Sequence, residues 1–203
     1  MSNNITNTSS FTDKKLILMF QNGDSTAFEK LFKKYKRPIF SFIFRYCNNT
    51  AIASDLTQDV FSKVIQKSAS FKNESNFSTW IYTIARNTTI DHNRKAKHRS
   101  HLSFDNDNSN GVPLIEIIKN SSPEPDRSLI SSNLKIKLHN AIDKLPSDQK
   151  EVFLLREYSG LKFDEISKIV NTKTGTVKSR MRYALESLRK TLAEYEQYAK
   201  ELS

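Results

Sequence analysis

Apolar residues recur every three or four positions along most of this chain, which is the spacing of a helix face rather than of a strand. A short helix is predicted from Asp13, ending at Asn22-Gly23. Asp24 can cap a second, long helix, in which Pro38 predicts a kink or a joint between two helices. The inward positions of that helix are mostly aromatic or branched: Phe28, Leu31, Phe32, Tyr35, Ile39, Phe42, Ile43 and Tyr46.

Residues 51–65 predict an amphipathic helix with one apolar and one polar face. Two carboxylates lie on the polar face, which is most often simply solvated. On a basic chain such a face can also dock a basic protein surface, and it disfavours DNA. The apolar positions are Ile52, Leu56, Val60 and Val64, and the polar positions are Asp55, Gln58, Asp59 and Ser62.

A polar loop over residues 70–77 precedes a helix that Ser78 is placed to cap and that runs to Arg99. Its first half has inward apolar positions, and its second half is basic. Trp80 and Tyr82 beside this basic stretch suit single-stranded bases, which stack on aromatic rings while cations hold phosphates. The alternative is that both rings belong to the core, which for Trp80 is at least as good an interpretation. Histidine spacing without Cys or carboxylate partners disfavours a metal site at His92, His98 and His101.

Two stretches differ in character from the helices. Residues 1–11 are rich in Asn, Ser and Thr and predict a disordered tail. Residues 102–128 contain three prolines, with five acidic against two basic side chains, and predict a linker. The apolar run at 114–118 suggests one anchored turn inside it.

Helices resume at Leu129, Pro146 interrupts them, and Ser147 is placed to cap the next one. Residues 160–190 then predict two short helices joined by a tight turn, with turn chemistry at Asn171, Thr172 and Gly175. Lys162 precedes the first of these helices and cannot accept the usual capping bond. The second helix has an apolar stripe formed by Val177, Met181, Ala184, Leu185, Leu188 and Leu192.

The opposite face of this last helix carries Lys178, Ser179, Arg182 and Glu186. A short helix with a basic outer face, supported by its neighbour, is what a helix-turn-helix places in the DNA major groove. Arg and Lys can recognise guanine edges there. Thr174 and Thr176 lie where a helix N-terminus would meet a phosphate. The alternative is a solvated basic face on an ordinary helical hairpin.

Bulk composition agrees with a nucleic-acid or acidic-surface partner, since the 203 residues have a formal net charge of +10 and a pI of about 9.6. A single cysteine, Cys47, excludes an internal disulfide and fits a reducing cytoplasm. Without a His/Asp constellation, Cys47 is interpreted as a buried apolar residue and not as a nucleophile. The chain shows neither a signal-peptide pattern nor an apolar run of membrane-spanning length.

Four motifs, in this order and spacing, resemble the sigma-70 family of bacterial sigma factors, in the extracytoplasmic-function (ECF) group. They are AFEKLFKKY at 27–35, DLTQDVF at 55–61, FSTWIYTIARN at 77–87 with Asp91, and GTVKSR at 175–180. Leu145-Pro146, Gly160-Leu161 and Glu165-Ile166 add to the last of these. The resemblance covers roughly residues 12–192. The Lys162 cap and the linker depart from the family pattern.

The resemblance implies an all-α protein with two small helical domains joined by a flexible linker. Expected bounds are a tail at 1–11, a region 2 domain at 12–100, a linker at 101–128 and a region 4 domain at 129–196. The implied function is to bind core RNA polymerase and direct it to promoter DNA, as a monomer in the holoenzyme. No catalysis, cofactor, metal or membrane insertion is expected. The expected localisation is cytoplasmic. An anti-sigma factor is an optional further partner, which the family often uses.

The resemblance also assigns site residues. Core polymerase would be bound by Asp55, Gln58, Asp59 and Ser62. The promoter −10 element would be bound by Asn73, Ser78, Thr79, Tyr82, Arg86, Asn87, Asn93 and Arg94. The −35 element would be bound by Thr174, Thr176, Lys178, Ser179, Arg180, Arg182 and Tyr183.

Two other function classes explain part of the pattern. A dimeric helix-turn-helix regulator accounts for the C-terminal half but leaves residues 51–99 without a task. A DNA recombinase also ends in a helix-turn-helix in some cases, but it needs a separate catalytic domain. The N-terminal half shows no β-alternating runs that would build an α/β domain of that kind.

Overall fold

The computed structural model describes residues 12–72, 76–102 and 136–201, and for 97–102 and 194–201 the helix backbone alone. All regular structure in these ranges is helical, which confirms the predicted all-α class. The N-terminal helices are α1 (Asp13–Gln21), α2 (Ser25–Cys47), α3 (Thr50–Gln66) and α4 (Phe77–Leu102), with a 3₁₀ turn at Ser68–Ser70. The C-terminal helices are α5 (136–143), α6 (Ser147–Glu157), α7 (Phe163–Ile169) and α8 (Thr174–Glu201).

Side chains that accept bonds from free backbone N–H groups fix the start of the first three helices. Asp24 caps α2 as predicted, accepting from the N–H of Thr26 at 2.9 Å and of Ala27 at 3.3 Å. Asn49 caps α3 through the N–H of Ile52 at 3.0 Å. Asp24 also accepts a hydrogen bond from the Thr26 hydroxyl at 2.6 Å. The bonds that Asp24 accepts lower the pKa of its carboxyl, and the bond from this hydroxyl has the largest effect.

Two predictions about helix boundaries were wrong, and one of the two alternatives given for Pro38 is excluded. Ser78 lies inside the first turn of α4, because that helix already begins at Phe77. Ser147 is the first residue of α6, and the capping position belongs to Pro146, which offers no side-chain bond. Pro38 makes no joint: α2 runs through it as one helix, because the buried stripe continues from Tyr35 to Ile39 on both sides of the proline.

The N-terminal unit packs α2 against α1, α3 and α4 around one apolar core. Leu31, Ile39, Ile43, Val60 and Ile81 are fully buried in it. Each such side chain contributes about 1.5–3 kcal/mol relative to an exposed one. The described parts of α3 and α4 are therefore held by their inner faces, and the outer face of α3 is available for other contacts.

In the C-terminal unit, α8 packs on α6 and α7. Leu154, Leu155, Ile166 and Val177 are fully buried there. The predicted stripe of α8 holds except at Leu185, which is 43% exposed. Leu185 follows the buried Ala184 directly, and one residue turns a helix by about 100°, so this side chain leaves the buried face.

Two details of the helix-turn-helix differ from expectation. Asn171 adopts a left-handed backbone (φ 50°), which Asn tolerates at a helix end, whereas Gly175 lies inside the first turn of α8. The start of α7 is capped from within: Glu165 accepts from the backbone N–H of Lys162 at 2.8 Å. This is the half of a capping box that does not need an accepting side chain at the cap position.

The two units also pack directly on each other, with α4 against α7 and α2 against α6. No sequence pattern indicated these contacts. The predicted tail at 1–11, the residue Asn73 and the predicted turn at 114–118 lie outside the described residues, as does 103–135.

Candidate nucleic-acid and protein interfaces

The four residues predicted to bind core polymerase share the outer face of α3. Asp55, Gln58, Asp59 and Ser62 are all exposed, and the alternate positions Leu56 and Val60 are buried beneath them. The structure therefore brings this predicted set together. Two carboxylates presented from a rigid helix form a surface suited to a basic protein partner.

A cleft of about 510 Å³ between α2 and α3 adjoins this face and was missed by sequence analysis. Gln58 belongs to both surfaces. The cleft has aromatic walls and a basic rim on α2: Phe32, Lys36, Arg37, Phe40 and Phe61 line it with Gln58. Phe32 and Phe40 fit the apolar repeat of α2, so helical spacing alone could not separate them from core residues. Their partial exposure is the signal that does so.

Two residues predicted to bind the −10 element are buried in this structure. Thr79 is 7% exposed and Tyr82 is 2% exposed. The Tyr82 ring packs edge-on against Phe42 with ring centroids 5.6 Å apart, and burial raises the pKa of its phenol. The expected stacking of a base on Tyr82 is therefore blocked in this arrangement.

Trp80 follows the core alternative. Its half-buried ring lies 5.4 Å from Phe71 and 5.8 Å from Phe77, measured between ring centroids. These three rings pack the start of α4 against the segment that follows the 3₁₀ turn. Gln21 of α1 secures that segment by donating to the backbone oxygens of Ser68 at 2.7 Å and Phe71 at 3.3 Å.

The remaining predicted −10 residues on α4 differ in accessibility. Asn87 and Arg94 are exposed, and Ser78 and Asn93 are half-buried. Arg94 makes a loose ion pair with Asp91 at 3.8 Å, a surface pair of the kind that contributes little to stability. These four positions do not share one face of α4, because Ser78 and Asn87 are nine residues apart and lie about 180° apart around the helix.

Arg86, also predicted to bind the −10 element, is held by the C-terminal unit. Its guanidinium donates to both oxygens of Glu151 on α6, at 2.5 Å from Nε and 3.3 Å from the terminal nitrogen. The Glu151 side chain is only 6% exposed and that of Arg86 22%. A buried carboxylate needs such a partner, because an unpaired charge at that depth would be strongly destabilising.

Five of the seven predicted −35 residues on α8 form one open face. Thr176, Lys178, Ser179, Arg182 and Tyr183 are exposed. Arg182 lies over the Tyr183 ring at 5.0 Å and donates to its hydroxyl at 3.2 Å. A planar guanidinium held against a ring is pre-organised for bidentate recognition.

Two predicted −35 residues are tied to neighbouring helices instead. Thr174 donates from its hydroxyl to Asp164 of α7 at 3.1 Å. Arg180 pairs with Asp148 of α6 at 3.0 Å and is half-buried. Both contacts fix the angle of α8 on its support, so these side chains hold the helix in position while the others face outward.

The described residues were compared with the requirements of metal and thiol chemistry. Within 12–72, 76–102 and 136–201, no cluster of His, Cys, Asp and Glu has the arrangement of a metal site. Burial raises the pKa of the Cys47 thiol to about 11, which keeps it protonated at neutral pH. None of the helices in the described ranges combines the length and hydropathy that a membrane span requires.

Several residues outside the predicted sites make contacts between the units, among them Asn76, Glu151 and Glu165. Asn76 donates to Glu165 at 2.8 Å, across the junction of α4 and α7. Helical periodicity assigns residues to faces within one helix, and it contains no information on which faces of distant helices meet.

Two family models match the chain in the same order as the motifs. The model described as Sigma-70 region 2 matches residues 31–99, and the model described as Sigma-70, region 4 matches residues 135–188. Both matched ranges lie within the predicted domain bounds of 12–100 and 129–196.

Curated relatives match over nearly their whole length. RNA polymerase sigma-H factor of Pseudomonas aeruginosa is 30% identical over 89% of this chain and 93% of its own. ECF RNA polymerase sigma factor SigW of Bacillus subtilis is 33% identical over 88% of this chain and 96% of its own. ECF RNA polymerase sigma-E factor of Haemophilus influenzae is 32% identical over 87% of this chain and 93% of its own.

Solved structures share the fold at lower identity. The sigma factor RpoE of Bartonella quintana, solved with the anti-sigma factor NepR, has a TM-score of 0.67 and 24% identity, covering 82% of this chain and 96% of its own. CnrH, solved with the cytosolic domain of CnrY, has a TM-score of 0.66 and 16% identity, covering 90% of this chain and 97% of its own.

Proposed function

Because this chain belongs to the sigma-70 family, in the group of ECF RNA polymerase sigma factors, we propose that three separate faces of it divide the work of promoter recognition. The chain is a sigma factor that binds core RNA polymerase and directs transcription initiation at promoters. What we add is the assignment of residues: α3 docks on polymerase, α4 binds the −10 element, and α8 binds the −35 element.

For polymerase docking, the exposed set on α3 is the observation that carries the proposal. Asp55 and Asp59 repel DNA and attract a basic protein surface, so this face favours a protein partner over DNA. The aromatic cleft beside Gln58 gives the same interface apolar area. Interfaces combine these elements, with buried aromatic anchors and a charged rim.

For the −35 element, the open face of α8 supports base contacts by Lys178, Ser179 and Arg182 in the major groove. Thr176 lies at the helix start, close to a backbone phosphate in such a docking. Tyr183 supports the guanidinium of Arg182. We assign Thr174 and Arg180 to holding α8 in place, because both are engaged with Asp164 and Asp148.

For the −10 element, α4 supplies the amide and cationic groups of Asn87, Asn93, Arg94 and Arg86. Ser78 and Thr79 at its start would bind an unstacked base, and Tyr82 would reach one only after its ring leaves its contact with Phe42. Asn73 would belong to the same set and lies outside the described residues. Unpaired bases are recognised by this combination of polar groups, cations and rings.

The protein carries no catalysis of its own under this proposal, and it needs neither cofactor nor metal. Its relatives are sigma factors, which act by directing polymerase. We infer that it acts in the cytoplasm, where core polymerase and the chromosome are. A dimeric regulator and a recombinase explain the helix-turn-helix but give no role to the exposed face of α3.

An anti-sigma factor is a further partner that we propose for this chain. RpoE of Bartonella quintana was solved in complex with the anti-sigma factor NepR. The cleft between α2 and α3 and the face of α3 offer a helix of such a protein the same surface that polymerase would use. The anti-sigma factor and core polymerase would then compete for one surface, so binding of the anti-sigma factor would directly prevent binding of polymerase.

The experiment that tests the function is initiation in vitro by purified core polymerase at a defined promoter. We expect specific transcripts only when the protein is added, and loss of these transcripts when either promoter element is scrambled. A dimeric regulator would bind the same DNA without supporting initiation by core polymerase alone. Transcripts that do not depend on the added protein would overturn the proposal.

A further inference from the structure

The cleft between α2 and α3 has room for a small molecule. Its volume of about 510 Å³ lies within the range of roughly 300–1,000 Å³ that is typical of ligand sites. Thr57 and Phe61 line it as buried residues, and Ser54 and Gln58 line it as exposed ones. The cleft therefore has both a buried floor and side chains that a ligand from solvent can reach.

Three phenylalanine rings form the apolar part of the cleft. Phe32 lies edge-on to Phe61, with ring centroids 4.7 Å apart and an angle of 68° between the rings. Phe40 is half-buried and nearly parallel to Phe44, with an angle of 8° and centroids 6.1 Å apart. These ring contacts fix the orientation of both walls. A fixed ring with part of its surface in the cleft can stack with a planar aromatic ligand.

Three exposed cations lie on the α2 side of the cleft: Lys33, Lys36 and Arg37. Lys33 pairs with Glu29 of the same helix at 2.5 Å. The Lys36 ammonium lies 5.4 Å from the centre of the Phe32 ring, and among the described residues Arg37 makes no ion pair. Lys36 and Arg37 can therefore bind an anionic ligand without releasing a carboxylate of the protein. Phosphate suits them, because it accepts charge-assisted hydrogen bonds from both side-chain types.

The α3 side of the cleft is neutral. Ser54, Thr57 and Gln58 line it, and none of the described residues that line the cleft is acidic. Asp55 and Asp59 lie on the adjoining outer face of α3. This difference in charge orients an anionic ligand, with its phosphates towards α2 and its uncharged part towards α3. The Gln58 amide both donates and accepts hydrogen bonds, which matches the N6 and N7 edge of adenine.

We propose that this cleft binds an adenine nucleotide that carries two or more phosphates. The base stacks on Phe40 and meets Gln58 by its edge, and the phosphates lie at Lys36 and Arg37. Phe40 follows Arg37 by three residues and Lys36 by four, so the ring and both cations are neighbours on the surface of α2. One ligand can therefore contact all three.

Nucleotide binding has a consequence for the proposed docking of polymerase. Gln58 belongs both to the cleft and to the exposed face of α3, so a nucleotide in the cleft covers part of that face. The nucleotide and core polymerase then compete for one surface. This competition rests on the proposed role of α3, whereas nucleotide binding itself does not and can be measured on the protein alone.

The first measurement is calorimetric titration of the free full-length protein with ATP, GTP, adenosine and inorganic tripolyphosphate. We expect ATP to bind at least about tenfold more tightly than adenosine or tripolyphosphate, because only ATP uses both the ring and the cations. ATP should also exceed GTP about tenfold through the contact with Gln58, and Gln58→Leu should remove that preference. Equal affinity for ATP and tripolyphosphate would overturn the proposal, as would the absence of ATP binding.

Two variants each remove one kind of contact. Phe40→Leu keeps an apolar side chain without the ring, and we expect it to lower the affinity for ATP about tenfold and to leave that for tripolyphosphate unchanged. Lys36→Gln combined with Arg37→Gln removes two exposed charges and should lower the affinity for ATP at least about tenfold. Thermal unfolding checks that both variants keep the fold.

The matched control is Lys14→Gln combined with Lys190→Gln, which removes the same charge from exposed positions outside the cleft. We expect it to change the affinity for ATP less than about twofold, because salt screens distant charges. A loss as large as that of the Lys36→Gln and Arg37→Gln variant would assign ATP binding to overall charge and overturn the site.

The second measurement is the affinity of core polymerase for the fluorescently labelled protein, with and without saturating ATP. We expect ATP to weaken binding of the parent but not of the Lys36→Gln and Arg37→Gln variant, which controls for nucleotide bound by polymerase itself. ATP that binds the cleft and leaves the parent's affinity for polymerase unchanged would overturn the competition. Failure of initiation in vitro would instead count against the proposed function.

Discussion

Arg180 on α8 donates to Asp148 on α6 at 3.0 Å, whereas Arg182, two residues later, points away from the protein and lies over the Tyr183 ring. One arginine therefore anchors the helix to its support and the other belongs to the open face. Two residues turn a helix by about 200°, so this division follows directly from the helix repeat. Of these two arginines, Arg180 therefore positions the helix, and Arg182 is available to contact DNA.

Arg182→Ala tests the recognition role. We expect it to cost about 1–3 kcal/mol on the preferred −35 sequence and little on other sequences, because a base contact carries the discrimination. The measurement is binding to a −35 sequence library at two salt concentrations. A uniform loss of affinity with the sequence preference unchanged would show that Arg182 does not contact bases.

Arg189→Ala is the matched control on the same helix. Arg189 is exposed and lies towards the flank of the proposed groove contact. We expect this variant to weaken binding to all sequences alike and to reduce the salt dependence by about one ion, as the loss of a phosphate contact does. A change in base preference in this variant would assign Arg189 to the recognition face.

Asp55→Lys combined with Asp59→Lys tests the polymerase-binding face. Both side chains are exposed on the outer face of α3, so we expect affinity for core polymerase to fall at least about tenfold, or ~1.4 kcal/mol. Each substitution should change the free energy of unfolding by no more than about 0.5 kcal/mol. Direct titration with core polymerase at physiological salt measures the first, and urea unfolding measures the second.

The control for that double variant is Glu157→Lys, an exposed charge reversal on α6 away from α3. It should leave core affinity close to the parent value. If the Asp55 and Asp59 variants retain full affinity, the docking surface lies elsewhere. A titration of Phe40→Ala would then test the cleft by itself.

Leu185 and Leu188 provide a matched pair for the packing of α8. Leu188 is 5% exposed and Leu185 is 43% exposed. We expect Leu188→Ala to lower the free energy of unfolding by about 2–5 kcal/mol, because it leaves a cavity at a buried position. Leu185→Ala should change it by about 0.5 kcal/mol or less. Equal losses in chemical unfolding would mean that both side chains are buried.

Cys47 gives a prediction for pH dependence. Burial raises the pKa of its thiol from 9.0 to about 11, so at pH 8 the folded chain holds about 100-fold less thiolate than the unfolded chain. Alkylation by iodoacetamide should be slower in the native protein by at least this factor. Labelling in urea is the control, and equal rates would contradict the burial.

The same shift has a sign for stability. Between pH 9 and about 11 the unfolded chain releases the thiol proton and the folded chain keeps it, so the free energy of unfolding falls as the pH rises. Below pH 9 the contribution is fully present. Cys47→Ala removes this contribution. The free energy by which the parent exceeds the Cys47→Ala variant in unfolding should therefore decrease between pH 9 and about 11. A difference that stays constant would show that the thiol titrates normally.

The sequence by itself determined most of the local structure. The repeat of apolar residues placed α1, α2 and α3 and the inner faces of α6 and α8. Asp24 and the Asn22-Gly23 turn set a boundary through side-chain and backbone preferences that act within a few residues. The outer faces followed from the same helical repeat, since an amphipathic helix with a buried stripe has its remaining positions exposed. The set on α3 was predicted for this reason.

The starts of α4, α6 and α7 depend on competition between capping preferences and the packing of nearby side chains. Ser78 and Ser147 are good capping residues, yet α4 and α6 begin one or more positions earlier than a cap at those sites allows. Glu165 replaces the missing cap at Lys162 from within α7. A capping preference of about 1 kcal/mol is easily outweighed by the packing of large side chains such as Phe77, so caps predict boundaries only approximately.

Only the tertiary structure decided which faces of distant helices meet. The junction of the two units depends on Arg86 finding Glu151 and on Asn76 finding Glu165, across separations of 65 and 89 residues. Helical periodicity ends with each helix, and a charged side chain on an outer face looks the same whether its partner is water, DNA or a carboxylate of the same chain. Thr79 lies at this junction, 3.5 Å from Glu165, whereas Tyr82 packs against Phe42 of its own unit.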